Sequence, residues 1–246
     1  MHAFRLVGSA KSSSAAARAP GLLALLIALA SCTPQPSSRG PAAPAAVVPG
    51  AAPMGPAYRI DAAHSSLRIL VYRAGALARL GHNHVLESHE LGGEVHLPAA
   101  TVLAGASFDV AVPVATLVID DAAARRAEGA EFASQPSAAD IDGTRHNLLG
   151  PAVLDAGVYP MLRVHGVTRA ASTGLEADAR IELHGHSSTR AVPLTVTHGD
   201  GRLTIRGGFG VAQSALGLAP FSLALGALSV RDEIEVRFEI VARAGG

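Results

Sequence analysis

Residues Val192–Phe209 read VPLTVTHGDGRLTIRGGF, two runs of alternating apolar and polar residues that flank a turn sequence. A period of two places the apolar side chains of each run on one face of a β-strand. The intervening residues His198–Gly201 include Asp-Gly, which is a strong signal for a tight hairpin. We therefore predict two antiparallel strands, Val192–Thr197 and Leu203–Phe209, joined by a short turn.

The same alternation recurs on both sides of this hairpin. It predicts six further strands, at 67–71, 90–97, 108–112, 161–167, 177–183 and 234–241. In all, we expect seven to nine antiparallel strands. A sheet of this size leaves two exposed edges unless it closes on itself. The fold class predicted from the residues is therefore mainly β, an antiparallel β-barrel.

Two segments in the middle of the chain have helical character. Asp120–Phe132 begins with an acidic pair and continues with alanine and arginine at helical spacing. We interpret Asp120 and Asp121 as residues that cap the helix and oppose its dipole. Asp140–Leu154 is a weaker candidate because Gly143 and the pair Gly150-Pro151 interrupt it. We expect one or two short helices inserted into the barrel.

The N-terminal residues are typical of a secretory signal. Three basic residues precede the apolar run Gly21–Ala30, whose ten residues are too few to span a bilayer, which needs about 20. The run ends in Leu29–Cys32 (LASC), which resembles the bacterial lipobox, where the cysteine is acylated. We predict a lipoprotein signal peptide at 1–31 and lipidation of Cys32, the only cysteine of the chain.

The predicted location follows from this signal. Because Thr33 stands where an aspartate would favour retention at the inner membrane, we expect the acylated protein at the periplasmic side of the outer membrane. A plain secreted protein is the alternative. Residues 32–56 are rich in proline and alanine and predict an extended tether. Residues 57–246 then form one domain.

Composition excludes some partners and leaves others open. Removing residues 1–31 takes away three of the 20 basic residues and none of the 20 acidic ones, so the formal charge becomes −3. With no basic run, we expect no nucleic-acid partner. The single cysteine excludes an intramolecular disulfide. The sequence leaves open whether the barrel forms a homodimer.

Small residues among the apolar ones favour a hollow interior. A barrel of about eight strands holds either packed side chains or one small ligand. Here the alternating positions carry leucine, valine, isoleucine, alanine and glycine, with few aromatic residues. Such a set leaves space unless the backbones approach one another. The pattern favours a cavity, although an occluded barrel with a structural role remains the alternative.

Five segments, in order along the chain, resemble the motifs of YceI-like proteins. They are Tyr58–Leu67 (YRIDAAHSSL, like Y-x-I-D-P-x-H-S), Gly92–Val95 (GGEV, like G-x-V), Asn147–Val164 with its Tyr-Pro pair, Leu183–Leu194 (LHGHSSTRAVPL) and Val230–Val236 (VRDEIEV). Two departures are Ala62 in place of proline and Ala212–Leu218, which lacks the phenylalanine common at that place.

The resemblance implies a lipocalin-like antiparallel barrel, periplasmic or secreted, whose apolar cavity holds a polyisoprenoid chain. It also implies a binding or carrier protein and not an enzyme. We expect a polyprenyl chain or a quinone as the ligand, with no other cofactor. The cavity-lining residues we predict are Leu67, Ile69, Val71, Val95, Val110, Leu183, Leu194, Leu203 and Phe209.

Histidines provide the alternative function. His82 and His84 form one His-x-His pair, and His184 and His186 form another. Residues two apart share a face of a strand, so two such pairs could supply four nitrogens to zinc or copper. This pattern predicts a metal-binding protein or a metal-dependent hydrolase. Histidine at the barrel mouth could instead hydrogen-bond a quinone or phosphate head group.

Catalytic signals are weaker than these. Ser187 and Ser188 lie near His184 and His186 in sequence, but no G-x-S-x-G elbow is present, and serine in a turn commonly bonds local backbone. Asp120 and Asp121 are explained by helix capping. We therefore predict no enzymatic activity and no catalytic residues.

Overall fold

The computed structural model describes residues 55–245. The predicted signal peptide, Cys32 and nearly all of the predicted tether lie outside these residues. The described chain contains twelve β-strands: β1 (Ala57–Ile60), β2 (Ser66–Ala74), β3 (His84–Ser88), β4 (Gly92–His96), β5 (Ser107–Pro113), β6 (Val118–Ile119), β7 (Met161–Ala171), β8 (Gly174–Leu183), β9 (His186–Gly199), β10 (Arg202–Ala212), β11 (Ser222–Leu223) and β12 (Leu228–Ala244).

Eight of these strands close into an antiparallel barrel. Their order is β1-β4-β5-β7-β8-β9-β10-β12, and pairing of β12 with β1 closes the ring. The same edge of β12 that pairs with β1 also pairs with β2, which pairs with β3, and β3 pairs with β6. The predicted fold class, an antiparallel barrel with few short helices, is confirmed. All eight predicted strands are present, and β1, β3, β6 and β11 are additional.

The hairpin predicted within Val192–Phe209 is present. β9 and β10 are joined by Asp200 and Gly201, both with positive φ, at 51° and 67°. Two successive residues in this conformation match the right-handed twist of the flanking strands. Glycine takes that conformation without a steric cost, and aspartate tolerates it better than most residues. Gly199 therefore lies opposite Arg202.

A corner between β1 and β2 allows β12 to pair with both. The corner is a single 3-10 turn, Ala62–His64, and the backbone N–H of Asp61 donates to Val241 in β12 at 2.8 Å. The buried hydroxyl of Ser65 donates to the carbonyl of Asp61 at 2.8 Å and accepts from the N–H of Val241 at 3.0 Å. Asp61 also accepts from Arg243 at 2.6 Å. These bonds satisfy backbone groups that the corner would otherwise leave unpaired.

The inserted helices differ from their predicted bounds. α1 runs over Ala122–Ala127, and a separate 3-10 turn follows at Ala130–Phe132, because Gly129 between them has φ 80°, which no α-helix accommodates. Only Asp121 caps α1, accepting from the N–H groups of residues 123 and 124. The capping role predicted for Asp120 is wrong, because that side chain points to β3 instead.

The second helix, α2, runs over Ala138–Leu149. Ser137 and Asp140 cap it reciprocally, which moves its start two residues ahead of the predicted one. Gly143 does not interrupt it, and it ends before Gly150 instead of at Leu154. No helix within residues 55–245 is long and apolar enough to cross a lipid bilayer.

The outer face of β2 and β3 carries a second, smaller core. Leu70 and Val85 point away from the barrel interior and are buried against Ala124 of α1 and against Phe132. This contact explains why β2 is apolar on both faces near Leu70. α1 and the turn after it are thereby held against the outside of the barrel.

We expect Ser65→Ala to lower the free energy of unfolding by about 1–3 kcal/mol, because it leaves the buried N–H of Val241 without an acceptor. Urea denaturation measures the change. Ser66→Ala is the matched control, since no side-chain hydrogen bond of Ser66 is present in the described part of the chain. Equal stability of the two variants would contradict the role given to Ser65.

Candidate functional site

The barrel interior contains a first chamber with an apolar wall. Its cavity volume is about 130 Å³. Seven of the eight strands of the ring, all except β1, contribute side chains to the wall of this chamber, and β2 contributes Leu67. Thr168 is the single polar residue of the wall, and its hydroxyl is engaged by the backbone of Leu103 and Ala106. The first chamber therefore offers no free polar group to a ligand.

A second chamber lies at the other end of the same strands. Its cavity volume is about 210 Å³. α2 contributes Leu148, the loop after α2 contributes Val153 and Leu154, and the connection after β10 contributes Leu216 and Leu218. This wall also includes four polar side chains, which are His84, Thr144, Asn147 and Gln213.

Three residues line both chambers. Ile181 of β8, Phe209 of β10 and Val236 of β12 form part of each wall. We call these three residues the neck. Along β8 the wall passes from Ala177 in the first chamber to Leu183 in the second, with the neck residue between them. The two chambers are therefore arranged in series along the strands.

All nine predicted cavity-lining residues lie on these walls. Leu67, Val95, Val110, Leu194 and Leu203 line the first chamber, Ile69, Val71 and Leu183 line the second, and Phe209 lines both. The structure thus places these side chains on the interior face of the sheet, a choice between two faces that the alternation alone does not make. Whether a ligand contacts them stays a prediction.

The polar end of the second chamber is fixed by a buried charge network. His84 Nδ1 bonds Asp120 Oδ2 at 2.7 Å, and the N–H of Val85 donates to Asp120 Oδ1 at 2.9 Å. Arg125, which is fully buried, donates to the same carboxylate and to the carbonyls of Asn83 and Ser134. Within residues 55–245, no hydrogen bond engages Nε2 of His84, so that atom is free to bond a ligand in the chamber.

The network determines the charge of Asp120. Burial by itself raises the pKa of this carboxyl, but hydrogen bonds from His84, Val85 and Arg125 favour the ionised form more strongly, and the pKa lies below its ordinary value. Because Arg125 has no exposed surface, its charge needs the ionised carboxylate beside it. The pair is thus a structural support behind His84.

The two histidine pairs do not assemble into a metal centre. Within residues 55–245, no group of three or more His, Cys, Asp or Glu side chains is arranged to hold a metal ion. His184 has φ 50° and lies with Gly185 in the turn between β8 and β9, so the strand spacing assumed for His184 and His186 does not apply there. His82 precedes β3, and only His84 belongs to that strand.

The serines beside the second pair are also without a catalytic arrangement. Ser187 and Ser188 lie in β9 and not in a turn, opposite Glu182 and Ile181 of β8. In the part of the chain that the structure describes, neither hydroxyl is hydrogen-bonded to a histidine. The geometry therefore provides no activated nucleophile at this position.

Several buried or interior residues are not predicted by the sequence patterns. Asp120 and Arg125 are five residues apart in a segment that predicts a solvent-facing helix, and nothing in their spacing signals a buried pair. Asn147 and Gln213 lie in irregular or helical segments whose contact with the barrel depends on tertiary packing. Arg190 belongs to β9 but lies outside the predicted strands 177–183 and 192–197, so the sequence does not predict its interior position.

Comparison with known proteins gives the family. The model of the YceI-like domain matches residues 58–242. No curated protein sequence matches the chain significantly.

Solved structures share the fold at low sequence identity. BcnA of Burkholderia cenocepacia is 17% identical, with a TM-score of 0.53 over 74% of this chain and 98% of that chain. A polyisoprenoid-binding domain of Saccharophagus degradans, implicated in plant cell wall breakdown, is 13% identical, with a TM-score of 0.51 over 77% of this chain and 99% of that chain. At these identities the similarity establishes the fold alone.

We expect Asp120→Asn to lower the free energy of unfolding by about 3 kcal/mol, because it leaves the buried charge of Arg125 uncompensated. Asparagine also tolerates the positive φ of residue 120, so the backbone conformation is retained. Urea denaturation at neutral pH measures the loss. The control is Glu239→Gln, which removes an exposed pair with Arg206 and changes stability by less than about 1 kcal/mol.

The stability difference between the wild type and Asp120→Asn should depend on pH. The pKa of Asp120 is lower in the folded state, so its contribution is complete above the unfolded value of about 3.9 and disappears as the pH falls through the folded value. Denaturant midpoints compared between pH 7 and pH 2.5 test this. A difference that stays constant or grows on acidification would contradict the assignment.

Proposed function

The chain belongs to the YceI-like family, and from that premise we propose that it is a lipid-anchored binding protein that holds an isoprenoid-type lipid inside the barrel. The ligand would be a polyprenyl chain or a quinone with such a tail. The observation that carries the proposal is the series of two chambers with apolar walls, joined at the neck of Ile181, Phe209 and Val236.

The chamber sizes favour an elongated ligand. Small-molecule sites usually measure about 300–1,000 Å³, and each chamber alone is smaller than that. A ligand that uses both must pass the neck, which suits a linear chain better than a compact ring system. Burial of such a chain supplies about 25 cal/mol per Å² of apolar surface, and the cost of ordering the chain reduces that gain.

The wall chemistry suggests the direction of the ligand. The first chamber has no free polar group, whereas His84, Asn147 and Gln213 lie on the wall of the second. Burying a polar head group without a hydrogen-bond partner is costly. The apolar tail would therefore occupy the first chamber, and a neutral head group would lie in the second, near Nε2 of His84.

A passive binding role fits these features better than catalysis. The interior groups of the second chamber are suited to hydrogen bonding, and the Asp120–Arg125 pair orients His84 without a neighbouring nucleophile in the described residues. The Saccharophagus degradans domain is named for polyisoprenoid binding, which supports the same ligand class for this chain.

The proposed location rests on the sequence. The apolar run Gly21–Ala30 and the acylation sequence at Cys32 would place the barrel at the periplasmic side of the outer membrane, with residues 33–56 as the tether. A barrel held at a membrane surface would have direct access to isoprenoid lipids.

Native mass spectrometry of the full chain, expressed in a bacterial host and purified without chelator, should show a discrete adduct. We expect fragmentation of that adduct to release a polyprenyl or quinone lipid. Loading with a defined quinone or polyprenol should restore the adduct after delipidation. A protein that retains no lipid before or after loading would contradict the proposal.

Ala177→Phe should reduce lipid retention at least tenfold, since Ala177 lines the first chamber and a phenyl ring would occupy its space. The matched control is Ala57→Phe on β1, whose side chain is exposed and lines neither chamber. Thermal unfolding of both variants measures the cost of overpacking separately. Unchanged lipid retention in a folded Ala177→Phe variant would place the ligand outside the first chamber.

A further inference from the structure

Arg190 faces the interior of the barrel. It lies opposite Ala179 in the ladder between β8 and β9, and opposite residues of an antiparallel pair share a face. Ala179 lines the first chamber, and so does Val192, two positions along β9 from Arg190. The guanidinium carbon lies 4.8 Å from the ring centroid of Phe209, a neck residue. Register, alternation and contact therefore agree on an inward arginine.

This arginine has no polar partner among the residues that the structure describes. Among residues 55–245, only two buried side-chain nitrogen or oxygen atoms lack a hydrogen bond, Nε of Arg190 and Nδ1 of His184, and both belong to the hairpin of β8 and β9. No ion pair engages Arg190 within the same residues. By contrast, Arg125 makes hydrogen bonds to a carboxylate and to two carbonyls.

The backbone pairing of the barrel wall is interrupted beside Arg190. The ladder between β9 and β10 stops at the pair Leu194 and Gly207, although both strands continue. Pro193 lies between Leu194 and Arg190 in β9. Because proline has no N–H to donate, it interrupts the ladder between β9 and β10. From there, β9 pairs only with β8 and β10 pairs only with β12. We call this gap, between residues 187–192 of β9 and 208–212 of β10, the lateral slot.

The lateral slot connects with the proposed ligand site. Phe209, which Arg190 covers, lies in the slot and lines both chambers. Val211, also in the slot, lines the second chamber. At the far end, the backbone of Gly217 lies against the ring of His186 and closes the gap. A polar group at Arg190 can thus be continuous with a chain that lies at the neck.

We propose that Arg190 binds the phosphate-type head group of an isoprenoid lipid at the lateral slot. A guanidinium presents several N–H donors in a planar fork that matches an oxyanion, and partial burial strengthens such charge-assisted bonds. The cation–π contact with Phe209 orients the fork but satisfies none of its N–H groups. This inference rests on the proposed function and specifies an anionic ligand, whereas the polar groups of the second chamber alone also suit a neutral quinone.

Calorimetric titration of the full chain after delipidation tests the assignment with three probes: farnesyl phosphate, farnesol and inorganic phosphate. We expect the wild type to bind farnesyl phosphate at least tenfold more tightly than farnesol, since hydrogen bonds to a charged group contribute this much. Arg190→Gln should remove that preference and leave farnesol affinity within twofold. Arg190→Lys should retain part of the preference, because it keeps the charge and loses the fork.

Arg180→Gln is the matched control. Arg180 lies on the neighbouring strand, is half-exposed and pairs with Glu182 on the outside, so the variant makes the same change in charge without touching the slot. Thermal unfolding shows whether each variant is folded. If Arg180→Gln lost the preference for farnesyl phosphate as fully as Arg190→Gln, the assignment would be overturned. The preference would then be a nonspecific effect of charge.

Three further outcomes would overturn this inference, and they differ in what they mean for the proposed function. Equal affinity of the wild type for farnesol and farnesyl phosphate would overturn the role of Arg190 and leave the lipid-binding proposal intact. Failure of both lipids to bind would overturn both. Inorganic phosphate that binds as tightly as farnesyl phosphate would also overturn the inference, because the anion would then come from solution and not from a lipid.

Discussion

The pairing capacity of β12 is the constraint on which the rest of the structure depends. This strand of 17 residues pairs with β10 along one edge and with both β1 and β2 along the other. Without the second pairing, the sheet would remain open and its edge strands would expose unpaired N–H and C=O groups. One edge can serve two strands only because the chain turns sharply between them. The buried hydroxyl of Ser65 and the carboxylate of Asp61 stabilise that turn. The sequence YRIDAAHSS around the turn thus has a structural explanation before any functional one.

Closure leaves space because the interior is built from small and branched side chains. Ala106, Ala177 and Ala179 line the first chamber together with valines and leucines. Its three aromatic side chains are Phe108, Phe238 and the neck residue Phe209. A core of larger side chains would fill this volume at the usual packing density. Hydrophobic stabilisation is therefore shared between the chamber walls and the separate core on the outside of β2 and β3. A barrel of this design can remain folded while its centre is unfilled.

The sequence predicts those parts of the fold that a local period determines. Alternation identified eight strands and divided the side chains of each between two faces, without fixing which face lines the cavity, and Asp200-Gly201 identified the central hairpin, because both signals arise from neighbouring residues. The corner at Ser65, the strands of two residues and the interior charge network depend on contacts between segments far apart in the chain. His184 illustrates the limit: a His-x-His spacing has its expected geometry only within a strand, and this residue lies in a turn with positive φ. Arg190 was not predicted because β9 begins six residues before the predicted strand at 192–197, so the alternation did not include it.

The two interior arginines show how one fold treats the same charge in two ways. Arg125 is fully buried, and an ionised aspartate together with backbone carbonyls surrounds it, so its desolvation is compensated within the chain. Arg190 is partly buried at a gap in the wall, stacks on an aromatic ring and has no compensating anion in residues 55–245. A charge of the first kind supports the structure around it. A charge of the second kind is stabilised most by a partner that the protein does not supply, and the gap beside it is where such a partner would enter. Because the lateral slot lies next to the neck, an anionic head group at Arg190 and an apolar tail in the chambers would form a single site, as proposed.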